Sequence, residues 1–370
     1  MKKASKDVRS QVGQLIICGF DGTEFTPQLC NRLSVMQPGG IILFKRNLVS
    51  PEQTHSLLRE SQRAVAIPMF LCVDMEGGVV DRLRDMIAPV PPVSQVAATG
   101  VRKLYRDHGR LLGAEVRALG FNVDFAPVLD LGLPASSKVL SSRTVSASPK
   151  DTIEYAKELL QGLKDCHVLG SGKHFPGLGG SNLDSHVDLP TVDRSWKQLW
   201  EEDLLPYRKL KAQMPFVMVA HCAYPAVTKD RAPASISKKW LTDILRKKIG
   251  YRGIILSDDL DMGGVLAAAS IEDAAVACIR AGADSFLVCQ KEESVERAYE
   301  AVLREAERDR RFRALVETAA KRIIGIKKRS PALKRKKAPA PAQETIDRLR
   351  QKNWTFTEEV RLSANRRLAM

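Results

Sequence analysis

Charged and imidazole side chains stand at or just after the ends of five short, β-rich apolar runs: Asp74, Asp130, Lys173 with His174, His221, and Asp258 with Asp259. Such groups are seldom buried unless they are paired or do work. Five of them gathered on one rim would make a site equipped for acid–base chemistry or for holding a metal ion. A third imidazole, His186, follows in Asp184-Ser185-His186. Metal binding is the weaker use of these residues. Lys173 beside His174 would repel a cation, and no His-x-x-x-His or Cys/His ligand spacing is present. No metal and no cofactor is expected. His55, His108 and His167 lie in helical or pre-strand contexts and read as structural.

One rim requires one architecture. Apolar runs recur near residues 14–19, 40–44, 69–74, 122–128, 168–174, 216–221, 253–258 and 285–289. They are apolar nearly throughout, as strands buried on both faces of a parallel sheet are. Amphipathic helical patterns separate them. One starts at Ser148-Pro149, with Ser as N-cap and Pro as first helical residue, and continues through Ile153, Ala156, Leu159, Leu160 and Leu163. Another starts at Ser237, turns Trp240, Leu241, Ile244 and Leu245 inward and stops at Gly250. Further helices fit 101–119, 194–212, 271–281 and 292–325. Eight strands alternating with helices predict an α/β fold of the (β/α)8 TIM-like barrel type, in which catalytic groups sit at the C-terminal strand ends. An open doubly wound sheet would usually carry a Gly-rich phosphate loop after its first strand, and none is visible. Residues 14–19 are the weakest strand, since they also fit the inner face of a starting helix.

The bulk numbers limit the partners. The chain has 370 residues and a net charge of +15, of which residues 321–370 carry +11 and the first 320 only +4. The basicity belongs to the tail, so no nucleic-acid partner is expected for the main domain. No apolar run approaches the roughly 18–20 residues of a membrane span. The charged N-terminus Met1–Asp7 is followed by no apolar segment of the secretory type. Seven unclustered cysteines, among them Cys18, Cys72 and Cys289 inside apolar runs, read as free thiols of a reducing compartment, hence the cytoplasm. Residues 1–326 form the expected catalytic domain and 327–342 a flexible Lys/Pro/Ala-rich linker. Residues 343–370 form a helical tail, with a short helix at 343–352 and Trp354 and Phe356 as docking candidates. A solvated tail would leave turnover unchanged when 330–370 are removed. Oligomeric state is not legible.

Several segments together resemble the catalytic barrel of glycoside hydrolase family 3, and within it the β-N-acetylglucosaminidases of bacterial peptidoglycan recycling. They are Gly39–Phe44, Val73-Asp74-Met75-Glu76-Gly77-Gly78 with Arg82, and Asn122–Asp130. Gly172-Lys173-His174-Phe175-Pro176-Gly177, Asp184-Ser185-His186, Ala220-His221 and Ser257-Asp258-Asp259-Leu260-Asp261-Met262 complete the set. Their order and spacing extend over roughly residues 8–326. The resemblance implies a retaining enzyme that releases terminal non-reducing N-acetylglucosamine from peptidoglycan fragments or chitooligosaccharides. It makes Asp258 the nucleophile, His186 the acid/base and Asp184 its orienting partner. It assigns sugar binding to Asp74, Arg82, Arg143, Lys173 and His174, with Arg143 matched through Ser142-Arg143-Thr144.

The implied roles suit the residue types. Histidine titrates near pH 6.5 and can both give and take a proton at neutral pH. Asp184 would fix its tautomer and favour imidazolium. Asp74 accepts hydrogen bonds while Arg82, Arg143 and Lys173 donate, a mixture suited to a neutral polyol. Gly177-Leu178-Gly179-Gly180-Ser181 predicts a mobile loop able to bring in His186. Three positions depart from the family pattern: Leu178 where His is common, Met75 where Gln is, and Val79 where Arg is. A histidine acid/base also leaves room for phosphate as acceptor, hence a phosphorylase. From another class, a catalytically silent sugar-binding barrel is the rival.

Overall fold

The computed structural model describes residues 2–181, 189–334 and 339–368. A helix, Lys2–Gln14, leads into β1 (Ile16–Cys18), so the run near 14–19 is a strand preceded by a helix. β2 (Gly40–Ile42) and β3 (Phe70–Val73) follow, then an antiparallel hairpin of β4 (Met75–Gly77) and β5 (Val80–Asp81). β6 (Val123–Asp124), β7 (Leu169–Phe175), β8 (Phe216–Val219), β9 (Ile254–Asp259) and β10 (Ser285–Val288) complete the set. All but the hairpin strands form one closed barrel in the order β1-β2-β3-β6-β7-β8-β9-β10, parallel throughout. These are the eight apolar runs of the sequence. Each strand is short and buried on both faces because the helices wrap the outside and side chains fill the inside. Phe70, Phe125 and Phe216 meet there edge to face, with ring centroids 4.9 and 6.3 Å apart.

The helices follow their end signals. Ser148 caps Pro149–Asp165 by accepting from Asp151 N, and Gly282 ends Ile271–Ala281 at φ +112°. Two expected helices are broken. The 194–212 helix divides into Trp196–Gln198, Leu199–Asp203 and Leu205–Leu210. Pro206 donates no backbone hydrogen bond, which interrupts regular i→i−4 pairing near it. The 292–325 helix divides into Glu292–Arg308 and Arg310–Arg329, because Asp309 turns out of the first and caps the second through Arg311 N at 2.8 Å. Near the barrel floor, Lys327 of that second helix is buried. Its Nζ donates to Gln14 Oε1 at 2.8 Å and lies 4.8 Å from the centre of the Phe70 ring.

The tail is one 26-residue helix, Gln343–Leu368, and not a short one at 343–352. Ile346, Leu349, Asn353, Phe356 and Val360 are buried. Their spacing of three and four residues makes one face. Phe356 docks as expected, stacked on His108 at 5.6 Å. Trp354, two residues away, falls on the opposite face and is 60% exposed, so it is not a docking residue. No helix among the described residues is long and apolar enough to cross a membrane.

Candidate active site

At the C-terminal ends of the strands lies a cavity of about 300 Å³. Asp74, Arg82, Arg143, Lys173, His174 and Asp258 all line it. Six of the eight residues to which the family resemblance gives a catalytic or sugar-binding role are therefore brought together. The other two, Asp184 and His186, lie outside the described residues.

β3 and β7 supply the polar centre. Asp74 directly follows β3, and Lys173 Nζ reaches across to it at 2.8 Å. The same ammonium lies 2.6 Å from Glu76 Oε1. Arg143, on the short turn Ser141–Arg143, grips Glu76 with both prongs of its guanidinium, at 2.8 and 2.9 Å. Burial alone would raise the Glu76 carboxyl, but Lys173 and Arg143 outweigh it and hold the group well below the usual carboxylate range. Lys173 is itself buried, which would lower its pKa. Asp74 and Glu76 more than offset this and leave it above the ordinary lysine value.

Glu76 was not among the site residues expected from sequence. The signal was present: on extended backbone, positions two apart point to the same side, so Glu76 follows Asp74. Asp130 was likewise seen as a run end without a role. One of its oxygens accepts from His174 Nδ1 at 2.6 Å and from His174 N at 3.2 Å, and the other accepts from Leu178 N at 2.7 Å. This puts the proton on Nδ1 and leaves Nε2 as the ring nitrogen available to a ligand. His174 follows Lys173 through a cis peptide bond.

β9 ends in the two adjacent carboxylates. Asp258 lines the cavity and its Oδ1 accepts from Asp259 N at 2.8 Å. Asp259 is more deeply buried and is used by the backbone, its Oδ1 accepting from Asp261 N at 3.0 Å and Cys289 N at 2.9 Å. Burial first, then the nearby Asp261 and Asp258, push its carboxyl up to about 7. His221 also serves this strand end. Its Nε2–H donates to Asp259 O at 2.9 Å, which leaves Nδ1 to accept from the Ser235 hydroxyl at 2.7 Å. The imidazole expected on the rim is thus a fully buried brace.

Arg82 follows the hairpin. Its guanidinium carbon lies 5.9 Å from the centre of the Phe44 ring, and its Nε is buried with no hydrogen-bond partner among the described residues. An unpartnered buried donor inside a cavity is an opening for a ligand acceptor. Phe44, Arg46 and Gln290 also line the cavity; Phe44 ends one of the family segments but carried no role there, and no sequence signal marked the other two.

The glycines after β7 have a packing reason. A side chain on Gly179 would meet Leu131 O at 2.4 Å, one on Gly180 would meet Arg194 at 2.9 Å, and Gly177, at φ +133°, lies against Asp203. Ser181 and Leu178 are buried, and Tyr224 OH donates to Gly177 O at 2.8 Å. Residues 177–181 are therefore closely packed chain, and the glycine content reflects close approach more than looseness.

A polar cavity at the C-terminal rim, with donors and acceptors of both signs beside a carboxylate, has the chemistry to hold an uncharged, hydroxyl-rich ligand. The chain is 38% identical over 282 residues to a beta-hexosaminidase of Idiomarina loihiensis, covering 75% of this chain and 84% of that one. It is 39% identical over 279 residues to a beta-hexosaminidase of Thiobacillus denitrificans, covering 74% and 77%. Among solved structures, a glycoside hydrolase family 3 beta-N-acetylglucosaminidase from a Paenibacillus species superposes with a TM-score of 0.87 at 30% identity, over 93% of this chain and 68% of that one. The model of the glycosyl hydrolase family 3 N terminal domain matches residues 7–326, and the chain belongs to that family.

Proposed function

We propose that this chain is a retaining β-N-acetylglucosaminidase that removes terminal non-reducing N-acetylglucosamine, with peptidoglycan-derived fragments as its substrate class. The observation that carries the reading is the convergence of Asp74, Lys173, His174, Arg82 and Asp258 on one cavity. The names of the relatives support the sugar. Charge balance supports an uncharged ligand: Asp74, Lys173, Glu76 and Arg143 form a row of alternating sign with no net charge. A phosphate would want donors only. Among the described residues no group of His, Cys, Asp and Glu side chains could hold a metal ion. All seven cysteines are free, which supports a reducing compartment such as the cytoplasm.

In the first step, imidazolium at His186 gives its proton to the leaving oxygen while Asp258 bonds to the anomeric carbon and the glycosidic bond breaks. In the second, His186 takes a proton from water as the water attacks that carbon and frees Asp258. Asp184 holds the imidazole. Asp74 accepts from sugar hydroxyls, and Lys173, Arg143 and Arg82 donate. Asp259, held up to about 7 and used by backbone N–H groups, takes no part in bond making.

The test is hydrolysis of 4-nitrophenyl N-acetyl-β-glucosaminide by wild type, Asp258→Ala and His186→Ala, with and without phosphate. Turnover that is lost in Asp258→Ala supports the reading. A sugar 1-phosphate product would replace it with a phosphorylase. Folded wild type that binds N-acetylglucosamine without turnover would replace it with a silent sugar-binding barrel.

A further inference from the structure

Half of the polar contacts that the Gln343–Leu368 helix makes with the rest of the described chain fall on one loop. Arg350 donates from Nε to Ile87 O at 3.1 Å and from Nη2 to Met86 O at 3.0 Å. Asn353, fully buried, donates from Nδ2 to Ala88 O at 3.0 Å and to Glu115 Oε1 at 3.1 Å. Three successive carbonyls are thus held from outside by two side chains some 265 residues away.

The loop they hold runs from the β4–β5 hairpin to the helix at Val93. Asp81 closes its neck, one oxygen accepting from Leu83 N at 3.2 Å and the other from Val90 N at 2.9 Å. Gly78 N donates to Val90 O at 2.8 Å. Arg82 sits in that neck, between Asp81 and Leu83, and is one of the residues that line the cavity, as Asp74 and Asp258 are. The loop buries Leu83, Met86, Ile87 and Val90 and pairs Asp85 with Lys45 at 2.7 Å, and its backbone is fastened at two places, by the Asp81 clasp on the cavity side and by the tail helix on the far side. Without the second, a segment of this length with no regular structure regains conformational freedom that must be lost again when Arg82 meets a ligand.

We propose that the C-terminal helix is a positioning element of the sugar site, with Arg350 and Asn353 as positioning residues that act on substrate through the 81–90 loop and Arg82. The inference rests on the reading of Arg82 as a sugar-binding residue. It replaces the solvated tail that composition suggests.

The experiment uses the full chain and measures kcat, KM and Tm for wild type, Arg350→Met, Arg350→Lys, Asn353→Ala, Phe356→Leu and Arg82→Ala. Amide hydrogen exchange at residues 83–90 is followed in parallel. Arg350→Met is expected to raise KM about 3- to 10-fold, the cost of ordering one or two extra side chains, with kcat within twofold. Arg350→Lys regains part of the loss. Phe356→Leu lowers Tm without moving KM, which separates helix stability from positioning. In the Arg82→Ala background, Arg350→Met adds no further rise in KM, the non-additivity expected of residues acting in series. An unchanged KM in Arg350→Met, or a full additional rise in the Arg82→Ala background, overturns the inference. Failure of the hydrolase reading is separately visible as wild type without turnover. Amide exchange then decides: faster exchange at 83–90 in Arg350→Met and Asn353→Ala sustains the fastening, and unchanged exchange ends it.

Discussion

Glu76 Oε1 lies 2.6 Å from Lys173 Nζ, and neither side chain is more than 3% exposed. The pair is the middle of a row that begins at Asp74 and ends at Arg143. Its effect is to hold two cations at the cavity without letting them exceed the anions. Lys173 and Arg143 can then donate to hydroxyl groups while the cavity as a whole stays near neutrality.

Removing the middle of that row should be costly. Glu76→Gln leaves Lys173 and Arg143 facing each other with only Asp74 to offset them. Breaking a buried pair from one side costs about 3–5 kcal/mol, to be read as a lower urea midpoint at pH 7. The sign of the pH dependence follows from the depressed carboxyl. Its contribution is present above the unfolded glutamate pKa, about 4.3, and is lost as pH falls toward the lower folded value. Wild type should lose its advantage over Glu76→Gln progressively below about pH 4. A gap that persists unchanged to pH 2 would contradict this account.

The two neighbouring carboxylates should behave differently. Asp258→Asn is expected to abolish turnover, since an amide cannot form the glycosyl-enzyme. In Asp259→Asn the amide oxygen still accepts from Asp261 N and Cys289 N, so kcat should stay within about tenfold of wild type. Steady-state kinetics of both variants decides it, and equal losses would remove the assignment of Asp258.

His186→Ala should lower kcat by about 10²–10⁴, the usual worth of a general acid–base group. The loss should be smaller for a 4-nitrophenyl leaving group, which departs with little protonation, than for a sugar leaving group. Comparison of the two substrates checks this, and equal losses would argue against proton donation by His186.

Lys327 offers a test far from the site. Burial pushes its ammonium down to about 7, against about 10.4 in the unfolded chain. Between those values the unfolded state binds more protons, so this group makes stability rise with pH from about 7 to about 10. Lys327→Met keeps the contact with Phe70 and removes the titration. The variant should gain stability at pH 6–7, and the gain should shrink by pH 10. Unfolding midpoints at pH 6, 8 and 10 measure it, and a pH-independent difference would rule it out.

The barrel was legible because its strands are apolar on both faces, a pattern few other elements share. Asp74, Lys173, His174 and Asp258 were legible because each ends or follows such a run. Arg82 and Arg143 were not, since they lie on a loop and a short turn with no periodicity, and only the family resemblance marked them. The β4–β5 hairpin was missed because Met75-Glu76-Gly77 has no alternating apolar pattern, and Glu76 was missed with it. The breaks at Pro206 and Asp309 had local signals that the continuous apolar stripes on either side obscured. In the tail, aromatic content suggested both Trp354 and Phe356 as contacts. The helical period admits only Phe356 to the buried face.

The carbonyls of Met86 and Ile87 receive their donors from Arg350, 264 and 263 positions further along. During synthesis at roughly 5–20 residues per second, the loop around Arg82 leaves the ribosome well before the helix that fastens it. Contacts of such high sequence separation are slow to form. The part of the rim that carries Arg82 is therefore secured late, and a nascent chain can close its barrel before that loop is held.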